Sequence, residues 1–334
     1  MNFIVKKIIG GVLYIDKEIV CIKYDRIYLK VFKFLPYYQE ILTLELAKRT
    51  NKIGRYSNGI YYFQDKITFF HSFLKGVEKK IKGKFYYRYK SNYKSYLTID
   101  NRDEIIFELE RKIIVPVIQH GEPKLFLENG LVQAEQEGTG DGSIYFHDIS
   151  MNGNELWSNK YSVLSNSSKG NLHSQILCSH DKLFFVITGN KNKGLYILNV
   201  HTGKLLKKFE GVCYEVFQDG DYIFSSRFEN TLCRINTKTL VIEEWDCNEL
   251  IKSNGFDAIH DHRCAALNNK FYFTQTLGDN KAKVGILDWD KQDLVYKHDF
   301  KPKNGGIGSI QVNENRMFIH TQDNTLHIFE KETE

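Results

Sequence analysis

Proline is scarce in this sequence, with four residues among 334, and convincing helical periodicity is also missing. The best helical candidate is 36–50, but the stretch "EILTLEL" within it alternates as a strand does. Phenylalanine and tyrosine are abundant instead, at 23 and 20 residues. Aromatic residues on short alternating segments favour β-strands. The sequence therefore predicts an all-β protein, and we expect one domain spanning 1–334.

No N-terminal hydrophobic run is long enough to cross a membrane. The longest uncharged run there, 8–15, is short and ends at Asp16. It also lacks a clear small-residue cleavage site for secretion. The six cysteines form no CxxC pair and are typical of unpaired thiols. We therefore expect a cytoplasmic protein without a membrane span, and the Lys/Asn/Ile/Tyr-rich composition favours a bacterial source.

The common catalytic signatures are absent from the sequence. It contains no GxSxG, no HExxH and no GxxxxGK[ST]. Gly189 and Gly194 have the spacing of a phosphate-binding loop, but Leu195 stands where that loop needs a lysine. The glycine-rich "GTGDGS" at 138–143 fits a turn between strands. We therefore expect no cofactor, and a protein without enzymatic activity is the favoured prediction.

A hairpin pattern repeats along the C-terminal two thirds of the chain. In 194–211, "GLYILNVHTGKLLKKFEG", an alternating strand runs into a polar turn and a second strand follows. Related hairpins occur at 143–161, 231–245 and 284–300, with the turn residues Gly153, Gly203, Lys238 and Gln292 in equivalent places. The mean interval, about 46 residues, is typical of repeated sheet units.

A second series of strands precedes these hairpins. Its members begin after small polar turns, at Leu131, Leu183, Tyr222, Phe271 and Met317. Each repeat therefore has four short strands, as in 174–209, and a recurring four-stranded antiparallel unit is a propeller blade. We predict a single β-propeller of seven blades. Eight blades is the alternative, because strand candidates are closely spaced in the N-terminal third. A β-sandwich with regular turns is the competing fold.

The C-terminus predicts how the ring closes. "TLHIFEKETE" aligns with "GLYILNVHTG", so the chain stops where the hairpin turn should be. The last blade then lacks its outer strand, and the alternating segment 2–8, "NFIVKKI", has the right length to supply it. We predict that 2–8 pairs with 325–331, which would leave no unpaired edge at the seam.

The repeat resembles that of pyrroloquinoline-quinone-type β-propellers. "LYILNVHTGKLLKKF" and "IYFHDISMNGNELW" share an apolar strand, an Asp or Asn, a Thr-Gly or Asn-Gly turn and further apolar residues. The resemblance covers 119–334 and implies a common scaffold. The quinone enzymes of that superfamily carry tryptophan in most repeats and calcium ligands. Here Trp157 falls on the tryptophan position and Trp245 lies one residue away, so we expect the scaffold without the cofactor.

Histidines recur in the segments that lead into the inner strands. His120, His173, His260 and His262 lie shortly before the second strand of their repeats. Imidazoles that converge on a propeller channel could bind a metal, so His120, His173 and His262 are candidate ligands. Their registers differ, and an exposed loop explains each of them as well. We therefore do not favour a metal site.

Two segments predict a binding surface. "DAIHDHRC" places Asp257, His260, Asp261, His262 and Arg263 within one loop. Residues 66–94 carry nine basic residues and one acidic residue among aromatic ones, and we select Lys79, Lys80, Lys82 and Arg88 from them. Such a run could dock on an acidic protein or on nucleic acid. It could also be the solvated side of exposed strands.

A non-enzymatic, protein-binding propeller is the favoured function, because loops held by a rigid scaffold commonly carry recognition. One form is a bacterial immunity or adaptor protein that caps a partner. The alternatives are a metal-assisted hydrolase or lyase with its site at the channel, and a nucleic-acid-binding propeller. We expect a monomer that binds a protein partner and does not bind nucleic acid. In one form of this hypothesis the partner is acidic.

Overall fold

The structure is a computed structural model, and the part of the chain that it describes begins at Phe3. The described ranges are 3–15, 20–33, 39–50, 53–56, 59–82, 84–90, 95–100, 105–108, 121–135, 141–148, 154–189, 193–212, 214–259, 263–275, 282–300 and 306–332. No helix within these ranges is long and apolar enough to cross a membrane.

The first half of the chain forms a leading strand and four antiparallel sheets. The leading strand is β1 (Phe3–Ile9). Sheet 1 consists of β2 (Val12–Ile15), β3 (Val20–Asp25), β4 (Tyr28–Lys33) and β5 (Gln39–Glu45). Sheet 2 consists of β6 (Ile53–Tyr56), β7 (Gly59–Gln64), β8 (Ile67–Ser72) and β9 (Gly76–Lys82). Sheet 3 has three described strands, β10 (Lys84–Lys90), β11 (Ser95–Asp100) and β12 (Ile105–Glu108). Sheet 4 consists of β13 (Gly121–Phe126), β14 (Gly130–Glu135), β15 (Ser143–Asp148) and β16 (Glu155–Lys160).

Four more sheets follow, with two short helices between them. Helix α1 (Tyr161–Ser165) leads into sheet 5, which consists of β17 (Gly170–Leu172), β18 (Leu177–Ser179), β19 (Lys182–Gly189), β20 (Lys193–Asn199) and β21 (Leu205–Glu210). Sheet 6 consists of β22 (Phe217–Asp219), β23 (Tyr222–Arg227), β24 (Thr231–Asn236) and β25 (Ile242–Asp246). Helix α2 (Asn248–Ser253) precedes sheet 7, which consists of β26 (Ala265–Leu267), β27 (Lys270–Gln275), β28 (Lys283–Asp288) and β29 (Asp293–Asp299). Sheet 8 combines β30 (Ile307–Val312), β31 (Arg316–Thr321) and β32 (Leu326–Lys331) with β1.

The number of sheets differs from the predicted seven blades. Six sheets are built from four or five consecutive strands, sheet 8 joins both chain ends, and sheet 3 has three described strands, which makes eight sheets in the described ranges. The count of seven is therefore wrong. The cause is that the mean repeat length came from the C-terminal repeats, whereas the first strands of sheets 1 to 4 begin closer together, at Val12, Ile53, Lys84 and Gly121.

The closing strand pair is confirmed. β1 lies antiparallel to β32, with Phe3 opposite Lys331 and Ile9 opposite Leu326. β1 is thus the outer strand of sheet 8, as the truncated last repeat predicts. Phe3 is 7 % exposed, and its ring meets the Tyr296 ring edge-on at a centroid distance of 5.4 Å. The N-terminal strand is therefore held both by its neighbour in the sheet and by sheet 7.

The hydrophobic core lies between adjacent sheets. One cluster joins sheets 4 and 5 and includes Phe146, Phe185 and Tyr196. Similar clusters lie between sheets 5 and 6, 6 and 7, 7 and 8, 8 and 1, and 1 and 2. Successive inner strands also contact one another, for example β2 with β6, β6 with β10 and β10 with β13. Sheets arranged in this way, with both chain ends in one sheet, form a β-propeller.

The Asp or Asn of the repeat begins the turn between the third and fourth strands. The Asn199 Oδ1 atom accepts hydrogen bonds from the N–H groups of His201 and Thr202, both at 3.0 Å. Asn236 does the same at 3.0 Å, and Asp288 at 3.2 Å. Such Asx turns hold a following residue at positive φ.

The turn alignment needs one correction, in sheet 6. Four residues after the Asx residue, φ is 67° at Gly203, 57° at Leu240 and 50° at Gln292. The residue equivalent to Gly203 is therefore Leu240, and the predicted Lys238 is wrong by two positions. The cause is that "NTKTL" carries no glycine, so the sequence does not mark the position of positive φ. Gly153 lies outside the described residues.

Antiparallel order places two kinds of connection at the same end of the ring. These are the connections between the second and third strands of a sheet and those from the fourth strand to the next sheet. We call this end the loop face. The segments 247–259 and 263–264 lie on it, and so does the turn that joins β23 to β24. The other turns lie on the opposite face.

Candidate functional site

One buried asparagine organises the loop face between sheets 6 and 7. Asn230 is 4 % exposed and adopts a φ of 63° at the end of the turn between β23 and β24. Its Nδ2 atom donates to Asn248 Oδ1 at 3.1 Å and to the Asp257 carbonyl at 3.3 Å. Its Oδ1 atom accepts from the Ile259 N–H at 3.2 Å. A single side chain thus ties a turn of sheet 6 to α2 and to the loop that precedes sheet 7.

A second amide fixes the same loop from sheet 7. Gln275 is 5 % exposed; its Oε1 atom accepts from the Asp257 N–H at 2.7 Å, and its Nε2 atom donates to Asp257 Oδ2 at 3.3 Å. Phe256 and Ile259, on either side, are 2 % and 1 % exposed. The main chain at Asp257 is therefore held on both sides while its side chain stays at the surface. This is how a scaffold presents a loop in one conformation.

The helix that begins this loop is also firmly attached. The Cys247 N–H donates to the Asn230 carbonyl at 3.1 Å, and its Sγ atom donates to the Trp245 carbonyl at 3.4 Å. Burial raises the pKa of the Cys247 thiol to about 12, so the thiol keeps its proton at neutral pH. This cysteine acts as a buried structural group and not as a nucleophile.

An aromatic pair with one exposed and one half-buried ring lies on the loop face beside this loop. Phe228, two residues before Asn230, is 54 % exposed. Its ring meets the Tyr214 ring edge-on at a centroid distance of 5.8 Å. The Lys193 Nζ atom lies 5.7 Å from the Phe228 centroid and 5.9 Å from the Tyr214 centroid. The start of β20, the segment between sheets 5 and 6, and the turn between β23 and β24 thus together supply an aromatic surface with a cation near both rings.

Charged side chains border the aromatic pair. The Arg227 Nε atom lies 2.6 Å from Glu244 Oε1, in an ion pair whose members are 30 % and 41 % exposed. Arg227 also donates from Nη1 to the Glu210 carbonyl. Its guanidinium thereby bridges the last strands of sheets 5 and 6. An apolar centre with a polar border is the usual anatomy of a protein-binding site.

The predicted binding residues that the structure describes fall in three separate places. Asp257 and Arg263 belong to the loop between sheets 6 and 7, where the Arg263 carbonyl accepts from Thr274 Oγ1 at 2.8 Å. His260, Asp261 and His262 lie outside the described residues. Lys79, Lys80 and Lys82 lie on β9, the outer strand of sheet 2. Arg88 lies on β10, opposite Leu97. The predicted set is therefore not one continuous surface.

The basic strand β9 shows an ordinary structural use of its lysines. Lys80 is exposed, and its Nζ atom lies 5.6 Å from the centroid of the Phe69 ring on the neighbouring strand. Lysines on an outer strand discourage unwanted pairing with other chains. This contact gives Lys80 a structural role within sheet 2.

The candidate metal ligands stay a prediction. The His173 N–H donates to the Val186 carbonyl at 2.9 Å, directly after β17. His120 and His262 lie outside the described residues. Within the described ranges, no group of three or more His, Cys, Asp or Glu side chains is placed to hold a metal ion.

Phe228 and Tyr214 are the functional candidates that the sequence reasoning missed. In "SSRFENTLCRI" the phenylalanine follows an alternating strand, and nothing local separates a buried aromatic residue from an exposed one. The four-strand repeat does offer one signal. It places Phe228 in the connection between the second and third strands, and such connections lie on the loop face.

Comparisons with known proteins support the fold. No protein-family model matches the sequence, and no curated protein matches it. Solved structures, in contrast, match this chain in fold. The computationally designed Ika8 protein matches with a TM-score of 0.64 and 12 % identity over 96 % of each chain.

Two natural proteins have similar folds. BamB from Moraxella catarrhalis matches with a TM-score of 0.60 and 12 % identity over 99 % of this chain and 100 % of its own. Sqt1 from Saccharomyces cerevisiae matches with a TM-score of 0.65 and 8 % identity over 100 % of this chain and 99 % of its own. At such low identity these likenesses concern the fold alone. The chain folds as a β-propeller. Its kinship with the pyrroloquinoline-quinone-type repeat stays a prediction.

Proposed function

We propose that this propeller is a non-enzymatic platform that binds a protein partner through its loop face. The observation that carries the proposal is the exposed ring of Phe228, packed edge-on against the half-buried Tyr214. It lies beside a loop that Asn230 and Gln275 hold in place. Exposed aromatic residues on a preorganised surface are the usual anchors of protein interfaces. The partner would place an apolar side chain against this pair, with Asp257 and Arg263 at the polar border.

The finer forms of this proposal concern the partner and its setting. We propose an immunity or adaptor role in a bacterial cytoplasm, in which the propeller acts as a monomer that caps its partner. Cys178, Cys233, Cys247 and Cys264 are free thiols, which supports a reducing compartment. The basic strand β9 would favour a partner with an acidic region.

A matched pair of variants tests the proposal. Phe228 and Val241 are both 54 % exposed, and they lie at opposite ends of sheet 6. The wild-type chain, Phe228→Ser and Val241→Ser are immobilised and used to capture proteins from the native organism for mass spectrometry. We expect one stoichiometric partner that the wild type and Val241→Ser retain and that Phe228→Ser loses about tenfold or more, since a hot-spot anchor contributes 2 kcal/mol or more, about thirtyfold in affinity. Equal retention by all three chains would refute the loop-face interface.

A further inference from the structure

A cavity opens on the loop face between sheets 1 and 2, far along the chain from the aromatic pair. Its volume is about 710 Å³, within the range of sites that hold small organic ligands. The residues that line it come from β2, from the segment between β5 and β6, and from the turn between β7 and β8: Leu13, Lys48, Arg49, Thr50, Phe63, Gln64, Asp65 and Lys66.

Hydrogen bonds and an ion pair hold the walls of this cavity. The Arg49 Nε atom donates to the Arg26 carbonyl at 2.6 Å, and the Lys48 Nζ atom lies 2.6 Å from Asp65 Oδ1 across the two sheets. With its amide oriented towards the main chain, Gln64 accepts from the N–H groups of Ala47 at 3.1 Å and Lys48 at 3.2 Å. The segment from sheet 1 is thereby fastened to the turn of sheet 2.

The charge of the lining favours an anion. Lys48, Arg49 and Lys66 are basic, and Asp65 is the one acidic residue among the lining residues. Asp65 is paired with Lys48, and the three basic side chains against one acidic side chain give the lining a net positive charge. Residues 1–100 as a whole carry 20 basic and 8 acidic residues, so the surrounding field has the same sign.

The apolar part of the lining favours a ligand with a hydrophobic body. Leu13 is the second residue of the inner strand β2 and yet is 42 % exposed, while its neighbour Val12 is fully buried. Phe63, at the end of β7, is half-buried. A ligand that covered these two side chains would remove apolar surface from water, and its anionic group would lie near Lys66 and Arg49.

We propose that this cavity binds a small organic anion with an apolar body, such as an aromatic or aliphatic carboxylate, sulfonate or phosphate. The site does not depend on the protein-binding proposal, because it lies on different sheets and uses different residues. Recognition has two parts: Coulomb attraction to Lys66 and Arg49, and cover of Leu13 and Phe63.

The fluorescent probe 8-anilinonaphthalene-1-sulfonate, an aromatic sulfonate, tests the proposal by titration at low salt. We expect saturable binding of one probe per chain. Lys66→Glu, which reverses the charge, and Leu13→Asn, which removes the apolar contact, should each weaken it about tenfold. Lys75→Glu is the matched control, since Lys75 is an exposed turn lysine of sheet 2 on the opposite face, and it should leave binding within twofold. Lys66→Gln, which removes the charge and keeps a polar side chain, replaces Lys66→Glu if circular dichroism shows that the latter does not fold, and the same direction of change is expected.

Two results would overturn the proposal. Binding that Lys66→Glu and Leu13→Asn leave at the wild-type level would place the probe elsewhere. Displacement of the probe by an equal concentration of inorganic phosphate would show a simple anion site without an apolar component. Phe228→Ser should leave the Lys66-dependent binding unchanged, so a failure of this site and a failure of the protein interface give different results.

Discussion

Three histidines gather where sheets 7 and 8 meet the start of sheet 1. His327 is 5 % exposed, and its ring lies 5.0 Å from the Phe300 ring. The His298 ring lies 5.0 Å from both Phe300 and Phe329. The His320 Nε2–H donates to the Val12 carbonyl at 3.1 Å, which joins sheet 8 to sheet 1. The neutral form of these imidazoles is thus part of the packing that closes the ring.

The surroundings of these histidines lower their affinity for protons. Burial lowers the pKa of His298, His320 and His327 below the usual 6.5. The carboxylate of Asp299 partly raises the pKa of His298, and that of Asp323 partly raises the pKa of His320 and His327. The other two histidines lower the pKa of His327 further. The nearby carboxylates therefore reduce the depression of the pKa but do not cancel it.

This arrangement predicts a loss of stability in mild acid. The unfolded chain binds protons to these histidines from about pH 6.5 downwards, whereas the folded chain binds them only at lower pH. The free energy of unfolding should therefore be flat above about pH 7.5 and fall as the pH drops through 6.5. Urea denaturation at a series of pH values measures this free energy of unfolding.

His320→Gln is the matched control for this pH dependence. A glutamine can still donate to the Val12 carbonyl but does not titrate, so the slope of stability between pH 7 and pH 5.5 should become smaller. An unchanged slope in this variant, or stability that rises on acidification of the wild type, would contradict the assignment.

At the scale of the element, the fourth strand of one sheet is attached to a turn of the next. Trp157, on β16 of sheet 4, donates from Nε1 to the Val200 carbonyl of sheet 5 at 2.8 Å. Asn159 Nδ2 donates to the Gly203 carbonyl at 3.0 Å. A Cβ atom at Gly203 would lie 2.6 Å from Trp157 Cδ2. The tryptophan of the repeat thus needs a glycine in the neighbouring turn.

Gly203→Ala should therefore be more harmful than an ordinary change at a turn glycine. The substitution puts a side chain on a residue whose φ is 67° and places its Cβ atom too close to the Trp157 indole. We expect a loss of about 2 to 4 kcal/mol in the free energy of unfolding. Gly220→Ala is the control, because Gly220 has a φ of 55° with nothing within 4 Å of its added Cβ. It should lose about 1 kcal/mol. Urea denaturation that gives equal losses would show that the contact with Trp157 has no effect.

The elements were predictable where the pattern that specifies them is local. The four strands of 174–209 correspond to β18–β21, because alternation and turn residues act over a few neighbours. The turn of sheet 6 was misplaced, since Leu240 adopts positive φ without a glycine to mark it. The exposure of Phe228 and the cavity beside Leu13 depend on which sheets meet. Such packing across sheets leaves no local pattern in the sequence.

At the scale of the whole molecule, the chain ends hold the ring together. β1 pairs with β32 along its length. Shortly after β1, the Val12 N–H donates to the Asn324 carbonyl at 3.0 Å. Lys6 adds an ion pair of 3.5 Å with Glu330. The proposed loop-face interface and the proposed anion site between sheets 1 and 2 both depend on this closure, because a closed ring holds neighbouring sheets in fixed positions.

A disulfide across the closing strands tests this central claim most directly. Ile4 and Glu330 are partners in the register of β1 and β32. In Ile4→Cys/Glu330→Cys, mild oxidation should give an intramolecular disulfide, identified by peptide mapping, that raises the free energy of unfolding by about 2 to 4 kcal/mol. Ile4→Cys/Lys75→Cys, which joins different sheets, should not cross-link. Absence of the first cross-link, or equal cross-linking in both variants, would contradict a ring closed by its two ends.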